Sequence, residues 1–318
     1  MYWLITCIRN FLFDYNIIKS KSFKNVFILC VGNLRVGGTG KTPMVEYLVK
    51  NLKEDFNVAV LSLGYKRKTK GIREITTEDD FLTVGDEPKQ MSEKFKDVRF
   101  FVNKNRNKAI TFIKQKYPQT QVIILDDAYQ YRKTKAEKTI LLTEYARPFY
   151  KDFLLPLGRL RERRKEKKRS DYIVVTKSPK LLTKEEKNNT ISKIRPKEKQ
   201  QVFFASLKYD ENIKQELSDK NVVLLTGIDN PLPLQEYLRS FCKVTKTMKF
   251  ADHHIFSKEE IKEISKITLP IVTTRKDATR LKTTTAKIFI QDVETEIEKT
   301  FMENIKRDIK TFLSEKEK

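Results

Sequence analysis

Apolar residues along this chain recur with two different periods, and the alternation between them predicts the fold. Short runs rich in Val, Ile and Leu lie at Val26 to Val31, Asn57 to Leu63, Val98 to Val102 and Val122 to Leu125. Two more follow at Thr139 to Thr143 and Tyr172 to Thr176. Their length and composition predict buried strands. Between them, apolar positions fall at helical spacing. Met44, Tyr47, Leu48 and Leu52 predict a helix reaching about Lys53, and shorter helices are expected over Gln90 to Phe95 and Ala109 to Lys116. Strands alternating with helices make an α/β fold, a parallel sheet with helices on both faces. Ligands of such a sheet gather at the carboxyl ends of its strands.

Residues 177–200 are polar and lysine-rich and read as a linker. Beyond it a smaller α/β unit is expected, with strands near Val202–Ala205, Val222–Thr226, Lys243–Thr247, Ile271–Thr274 and Ile288–Ile290. Ile297, Phe301, Ile305, Ile309 and Leu313 form one face of a closing amphipathic helix. The expected division is therefore an N-terminal helix over 1–24, a nucleotide-binding domain over 25–198 and a smaller C-terminal domain over 199–318.

The first residues follow a different pattern. On a helix, Leu4, Ile5, Ile8, Phe11, Leu12 and Tyr15 make one wide apolar stripe, with Lys19, Lys21 and Lys24 close behind. The run is too short to span a bilayer, and it lacks the basic start and small-residue cleavage site of a signal peptide. It reads either as a helix packed on the core or as one lying on a membrane surface, and the trailing lysines favour the membrane.

Composition narrows the partners. The 318 residues carry a formal charge of +23, which predicts anionic partners: nucleic acid, a membrane surface or phosphorylated substrates. Three widely spaced cysteines (Cys7, Cys30 and Cys242) and two histidines give neither a disulfide framework nor a zinc site, so a reducing cytoplasm is expected. The densest charge run, Arg159 to Arg169, holds eight basic residues in eleven; its second half reads as a solvated helix or loop.

The chemistry concentrates between residues 25 and 43, NVFILCVGNLRVGGTGKTP. Only nine glycines occur in the chain, and four of them (Gly32, Gly37, Gly38 and Gly40) fall in this window. A strand, a glycine-rich loop and then Lys-Thr opening a helix form a P-loop. Glycine lets backbone N–H groups curl inward around phosphate oxygens, and the helix aims its positive end at them. Gly37, Gly38, Thr39 and Gly40 supply the cradle, Lys41 a full charge and Thr42 a hydroxyl for Mg²⁺. One position departs from the usual pattern: Arg35 stands where Gly or Ala is common.

Further along, Val122-Ile-Ile-Leu-Asp126-Asp127 is an apolar strand ending in two acids, the form of a Walker B segment, where a carboxylate can hold Mg²⁺. The continuation Asp126-Asp127-Ala128-Tyr129-Gln130-Tyr131-Arg132 resembles the DDGFQHR motif of the tetraacyldisaccharide 4'-kinases, and VGNLRVGGTGKTP resembles that family's GNLTVGGTGKTP. Similar matches follow in the family's order. They are Leu63-Gly64-Tyr65 with Arg67 to Gly71, Val84-Gly85-Asp86-Glu87-Pro88, Leu155 to Glu162, Asp252-His253-His254 and Thr274-Arg275-Lys276-Asp277. The resemblance spans nearly the whole chain.

That resemblance implies a P-loop kinase that uses ATP and Mg²⁺ to phosphorylate the 4'-hydroxyl of an acylated glucosamine disaccharide 1-phosphate at the cytoplasmic face of the inner membrane. Lys41 would contact the phosphates. Thr42, Asp126, Asp127 and Glu162 would serve the metal, and Arg106 and Gln130 the nucleotide. Asp86 matches the proposed general base, partnered by a histidine of the DHH segment; His253 is preferred, with His254 left open. Leu63, Ala128 and Tyr131 depart from the family pattern without removing a reacting group. Neither nucleic acid nor an obligate protein partner is expected.

Two other classes compete. Thr274-Arg275-Lys276-Asp277 has a superficial likeness to a guanine-reading motif, with its lysine displaced by one position, which suggests a GTPase. The +23 charge suggests a nucleic-acid-dependent ATPase, but aromatics are not interleaved with the basic runs as a strand-stacking platform needs.

Overall fold

The computed structural model describes residues 2–228, 230–252, 254–281 and 284–315. Its strands run in chain order as β1 (Phe27–Asn33), β2 (Val58–Ser62), β3 (Arg73–Glu74), β4 (Arg99–Val102), β5 (Val122–Leu125), β6 (Lys138–Glu144) and β7 (Tyr172–Thr176). The series continues with β8 (Gln201–Tyr209), β9 (Asn221–Thr226), β10 (Lys243–Lys249), β11 (Ile271–Thr274), β12 (Ile288–Gln291) and β13 (Val293–Ile297). Helices are α1 (Tyr2–Asp14), α2 (Lys41–Leu52), α3 (Phe81–Val84), α4 (Asp86–Lys94), α5 (Arg106–Lys116) and α6 (Lys184–Ile194). The remaining five are α7 (Lys214–Leu217), α8 (Leu232–Arg239), α9 (Lys258–Ser265), α10 (Arg275–Ala278) and α11 (Lys299–Ser314).

Nine strands form one sheet in the order β13-β8-β7-β6-β1-β5-β2-β4-β3, parallel except at its two edges. Central β1 is buried along its whole length because helices cover both faces. Phe27, Leu29 and Val31 point into one core with Leu48, Leu52 and Phe301; Ile28 and Cys30 point into the other with Ile110 and Ile113. The carboxyl end of β1, between β5 and β6, is the mouth where the glycine-rich loop emerges.

A four-stranded parallel sheet, β10-β9-β11-β12, forms the smaller unit. The strand expected to open that unit, near Val202–Ala205, lies instead in the large sheet as β8, and β13 pairs antiparallel with it. Helix α11 also returns to the large sheet, where Phe301, Met302, Ile305 and Ile309 enter the core built on β1 and α2. A boundary at residue 198 therefore cuts through one sheet, because the apolar stripe of α11 finds its partner there. The expected linker is likewise partly helical. Thr183 and Glu186 exchange capping hydrogen bonds at the start of α6, and Ile194 anchors its far end in the core.

Helix α1 is inverted relative to a core-packed helix. Its polar Thr6 and Asn10 are buried with Phe13, while Trp3, Leu4, Ile5 (60% exposed), Ile8 and Phe11 (54%) face outward. Polar contacts hold it to the body. Asn10 Nδ2 donates to Glu162 at 2.9 Å, Arg132 donates to the Asn10 carbonyl at 2.9 Å, and Asp14 pairs with Arg132 at 2.7 Å and Lys168 at 2.6 Å.

Candidate active site

The loop after β1 has the backbone a phosphate cradle needs. Gly40 caps α2 with φ 83°, and Gly37 has φ 106°, both in the region side chains disfavour. Gly32 is required for a different reason: a Cβ there would stand 2.7 Å from the Cβ of Tyr129. The loop is braced on both sides. Thr176 Oγ1 donates to the Thr39 carbonyl at 2.9 Å, and Asn33 Nδ2 donates to Thr39 Oγ1 at 2.6 Å. Arg35 is turned away from the cradle. Its guanidinium lies 3.0 Å from Asp152 and 3.3 Å from Glu144, so its departure from the usual pattern leaves the mouth of the loop clear.

Lys41 and Thr42 are the first two residues of α2. The Lys41 amine stands 3.8 Å from Asp127 Oδ1. Asp127 has φ 44°, a left-handed turn at the end of β5 that lets two successive acids approach one mouth. Their electrostatics differ. Burial, with Glu87 and Asp127 nearby, pushes the Asp126 carboxyl up to about 7, against the pull of Lys41 and Ser62. Burial also opposes ionisation of Asp127, but Lys41 and Arg161 outweigh it and hold that carboxyl below its ordinary value.

Asp126 Oδ2 accepts from Ser62 Oγ at 3.0 Å, whereas its Oδ1 is buried with no protein partner. A buried, unmatched carboxylate oxygen beside a phosphate cradle suits a hard cation, which takes oxygen ligands and keeps several waters. Among the described residues no group of three His, Cys, Asp or Glu side chains could hold a metal by itself. The set fits Mg²⁺ shared with phosphates.

Three expected site residues make contacts that brace the site. Glu162, expected as a metal ligand, is fully buried, and its carboxylate is taken by Arg9, Asn10 and Arg169. With both oxygens paired in this structure, Glu162 is the counter-ion that anchors α1. Arg106 lies behind Asp126, donating to the carbonyls of Asn103 at 2.7 Å and Asp126 at 3.4 Å. Gln130 donates to the Asn33 carbonyl at 2.8 Å and meets Arg161, which reaches Asn33 Oδ1 at 2.8 Å. Arg106 and Gln130 thus brace the cradle from outside it.

Asp86 opens α4, directly after Gly85 (φ 94°), and its Oδ2 lies 2.9 Å from the Arg280 guanidinium. Sequence reasoning missed two features here. Buried Glu46 on α2 accepts from Lys94 at 2.6 Å and Gln90 at 2.9 Å on α4, tying the P-loop helix to the helix that carries Asp86; burial pushes its carboxyl up. Arg280 comes from the smaller unit. Glu46 lies amid the helix's apolar positions and Arg280 just past the matched motif, so no pattern marks either.

Of the two histidines, His253 lies outside the described residues. His254 Nε2 is 2.9 Å from Glu260, and its ring stacks on Phe250, so its side chain is committed within the smaller unit. Asp277, the acid of the guanine-like motif, is also committed. It accepts from Thr274 Oγ1 at 2.7 Å and the Gly227 N–H at 3.0 Å, as a structural brace.

A family model described as Tetraacyldisaccharide-1-P 4'-kinase (LpxK) matches residues 1–310. A tetraacyldisaccharide 4'-kinase of Flavobacterium johnsoniae is 42% identical over 292 residues, covering 89% of this chain and 85% of its own. That of Bacteroides fragilis is 40% identical over 303 residues, covering 88% and 80%. The crystal structure of Aquifex aeolicus LpxK, described as an "apo" form in complex with ATP, superposes with a TM-score of 0.76 at 28% identity and covers 98% of this chain and 96% of that one.

Proposed function

Because the chain belongs to the tetraacyldisaccharide 4'-kinase family, we propose that it transfers the γ-phosphate of ATP, with Mg²⁺, to the 4'-hydroxyl of a tetraacylated glucosamine disaccharide 1-phosphate in lipid A biosynthesis. The observation that carries this reading is the convergence of Lys41, Asp126 and Asp127 at the carboxyl ends of β1 and β5. In such transfers positioning and charge neutralisation do most of the catalysis.

Lys41 and the N–H groups of Gly37 to Gly40 hold the phosphates. Thr42, Asp126 and Asp127 would hold Mg²⁺, which when bound neutralises charge on the β- and γ-phosphates. Asp86 accepts the proton of the sugar hydroxyl as its oxygen bonds to phosphorus. A carboxylate is too weak a base to ionise that hydroxyl beforehand, so proton transfer comes late. Arg106, Gln130 and Arg161 keep the cradle and the two acids in register.

We place the enzyme as a peripheral protein on the cytoplasmic face of the inner membrane. No described helix is long and apolar enough to cross a bilayer. The outward apolar face of α1, with Arg163 over Trp3, and exposed Phe153, with Arg164 over its ring, suit an anionic lipid surface instead.

Incubation with ATP, Mg²⁺ and the acylated disaccharide 1-phosphate should add one phosphate by mass, at the 4'-position. Lys41→Ala and Asp86→Ala should each lower turnover, the lysine change by about 2.7–4 kcal/mol in activation free energy. Phosphate found at another position, or full turnover by Asp86→Ala, would overturn the assignment.

A further inference from the structure

Arg280 links the smaller unit to the proposed base. Two residues beyond α10, its guanidinium is buried, with 1% of the side chain exposed. Nη2 lies 2.9 Å from Asp86 Oδ2; Nη1 lies 3.6 Å from Asp277 Oδ1 and donates to the His254 carbonyl at 3.1 Å. Asp277 cannot follow the guanidinium elsewhere, since Thr274 and the Gly227 N–H fix it. The guanidinium is therefore suspended between an immobilised carboxylate of the smaller unit and Asp86 on the kinase sheet's α4.

A further charge contact crosses the same junction beside Asp86. Glu87 lies 3.9 Å from Lys276, which also pairs with Asp252 at 2.8 Å within the smaller unit, and the Glu87 charge helps push the Asp126 carboxyl up. Arg280 Nη2 meets Asp86 as a buried charge pair rather than an aligned hydrogen bond, and the stiff guanidinium, held through Nη1 by the His254 carbonyl, keeps that charge in one place, which a flexible ammonium would not.

We propose that Arg280 is a positioning residue for phosphoryl transfer, fixing a buried positive charge against Asp86 while the smaller unit sits against the kinase sheet. This inference rests on Asp86 being the base. In the reaction, the acceptor oxygen bonds to the γ-phosphorus and the bond from that phosphorus to the β,γ-bridging oxygen breaks. ADP leaves with the electron pair, and the hydroxyl proton passes to Asp86. A carboxylate held ionised by a neighbouring cation is a weak base, suited to accepting a proton only late in the transfer.

The test is steady-state kinetics of the whole enzyme across pH 5–9 with ATP, Mg²⁺ and acylated disaccharide 1-phosphate, for the parent, Arg280→Gln, Arg280→Lys and Asp86→Asn. Arg280→Gln should lower kcat by about 10- to 100-fold with KM for ATP unchanged. Its acidic limb of kcat should move to higher pH, because losing the cation makes the ionised carboxylate less favourable. Arg280→Lys should keep the limb near the parent's but recover only part of kcat. An Arg280→Gln limb at the parent's position, or undiminished kcat, overturns the inference. If Arg280→Gln does not fold, parental kcat in Arg280→Lys overturns it equally. Asp86→Asn separates the two readings. Full turnover in that variant removes the base and the inference together, whereas its collapse beside a normal Arg280→Gln removes the inference alone.

Discussion

Asp126 and Asp127 show how neighbouring acids divide a task. Asp126 is buried against like charge, and its carboxyl is pushed up to about 7, whereas Asp127 is held ionised by Lys41 and Arg161. A native carboxyl raised from 3.8 to about 7 binds a proton that the unfolded chain has already released. Its contribution to stability therefore falls as pH rises from about 4 to about 7. In metal chelator, Asp126→Asn should melt at a higher temperature than the parent at pH 8, reflecting on the order of 4 kcal/mol of unfolding free energy, with the gap closing near pH 4. The same variant should lose turnover. Equal melting at pH 8 would show that Asp126 carries no such penalty. At this scale the P-loop and the acid pair were legible because their residue types and spacing are themselves the chemistry. Arg35 and Glu162 were not. Their roles depend on which distant charges they meet: Glu144 and Asp152 for one, Arg9 and Arg169 for the other.

At the scale of elements, α1 had two readings in sequence, because an apolar stripe does not say which way it faces. Contacts show which way it faces: Thr6, Asn10 and Asp14 turn toward the body and the apolar stripe turns outward. Each exposed apolar side chain should gain about 1 kcal/mol on entering lipid. Replacing Ile5, Ile8 and Phe11 together with Ser should weaken co-sedimentation with anionic vesicles roughly 100-fold, with ATP binding unchanged. Unaltered sedimentation would count against the membrane reading. The tether itself depends on pH. Burial opposes the Asp14 charge, but Lys168 and Arg132 prevail and hold its carboxyl below the ordinary value. That support is complete above pH 3.8 and fades as pH falls through the lowered native value. Proteolysis near residue 14 should accelerate in that acid range, and Asp14→Asn should show the faster cleavage already at pH 7. Helix α6 escaped notice for another reason: lysine-rich polarity masked its capping box, although Thr183 and Glu186 are visible in the sequence.

Across the whole molecule, the α/β class and most of the strands followed from runs of Val, Ile and Leu, since a sheet covered on both faces needs such runs. Where the chain goes after β8 was not legible, because strand order depends on pairings between segments far apart in sequence. The charge of +23 has a testable counterpart in this frame. Binding to anionic vesicles should weaken as salt rises from 50 to 300 mM, since the charged part is screened. A residual fraction should persist through the apolar face of α1. Complete insensitivity to salt would assign binding to apolar contact alone.

The pairing of β8 with β13 sets Tyr209 opposite Val293, so the smaller unit leaves and rejoins the large sheet at neighbouring points. In genetic terms it is a parenthesis rather than a suffix. Cutting the gene short near codon 210 should yield insoluble protein, since the missing tail carries Phe301, Ile305 and Ile309 of the main core. Joining residues 209 and 293 through a two-residue Asn-Gly turn should instead yield a soluble, shortened enzyme that binds ATP but does not phosphorylate the lipid. Calorimetry with ATP on that spliced protein would check it, and a spliced chain as insoluble as the truncated one would show that the bracketed unit is needed for folding.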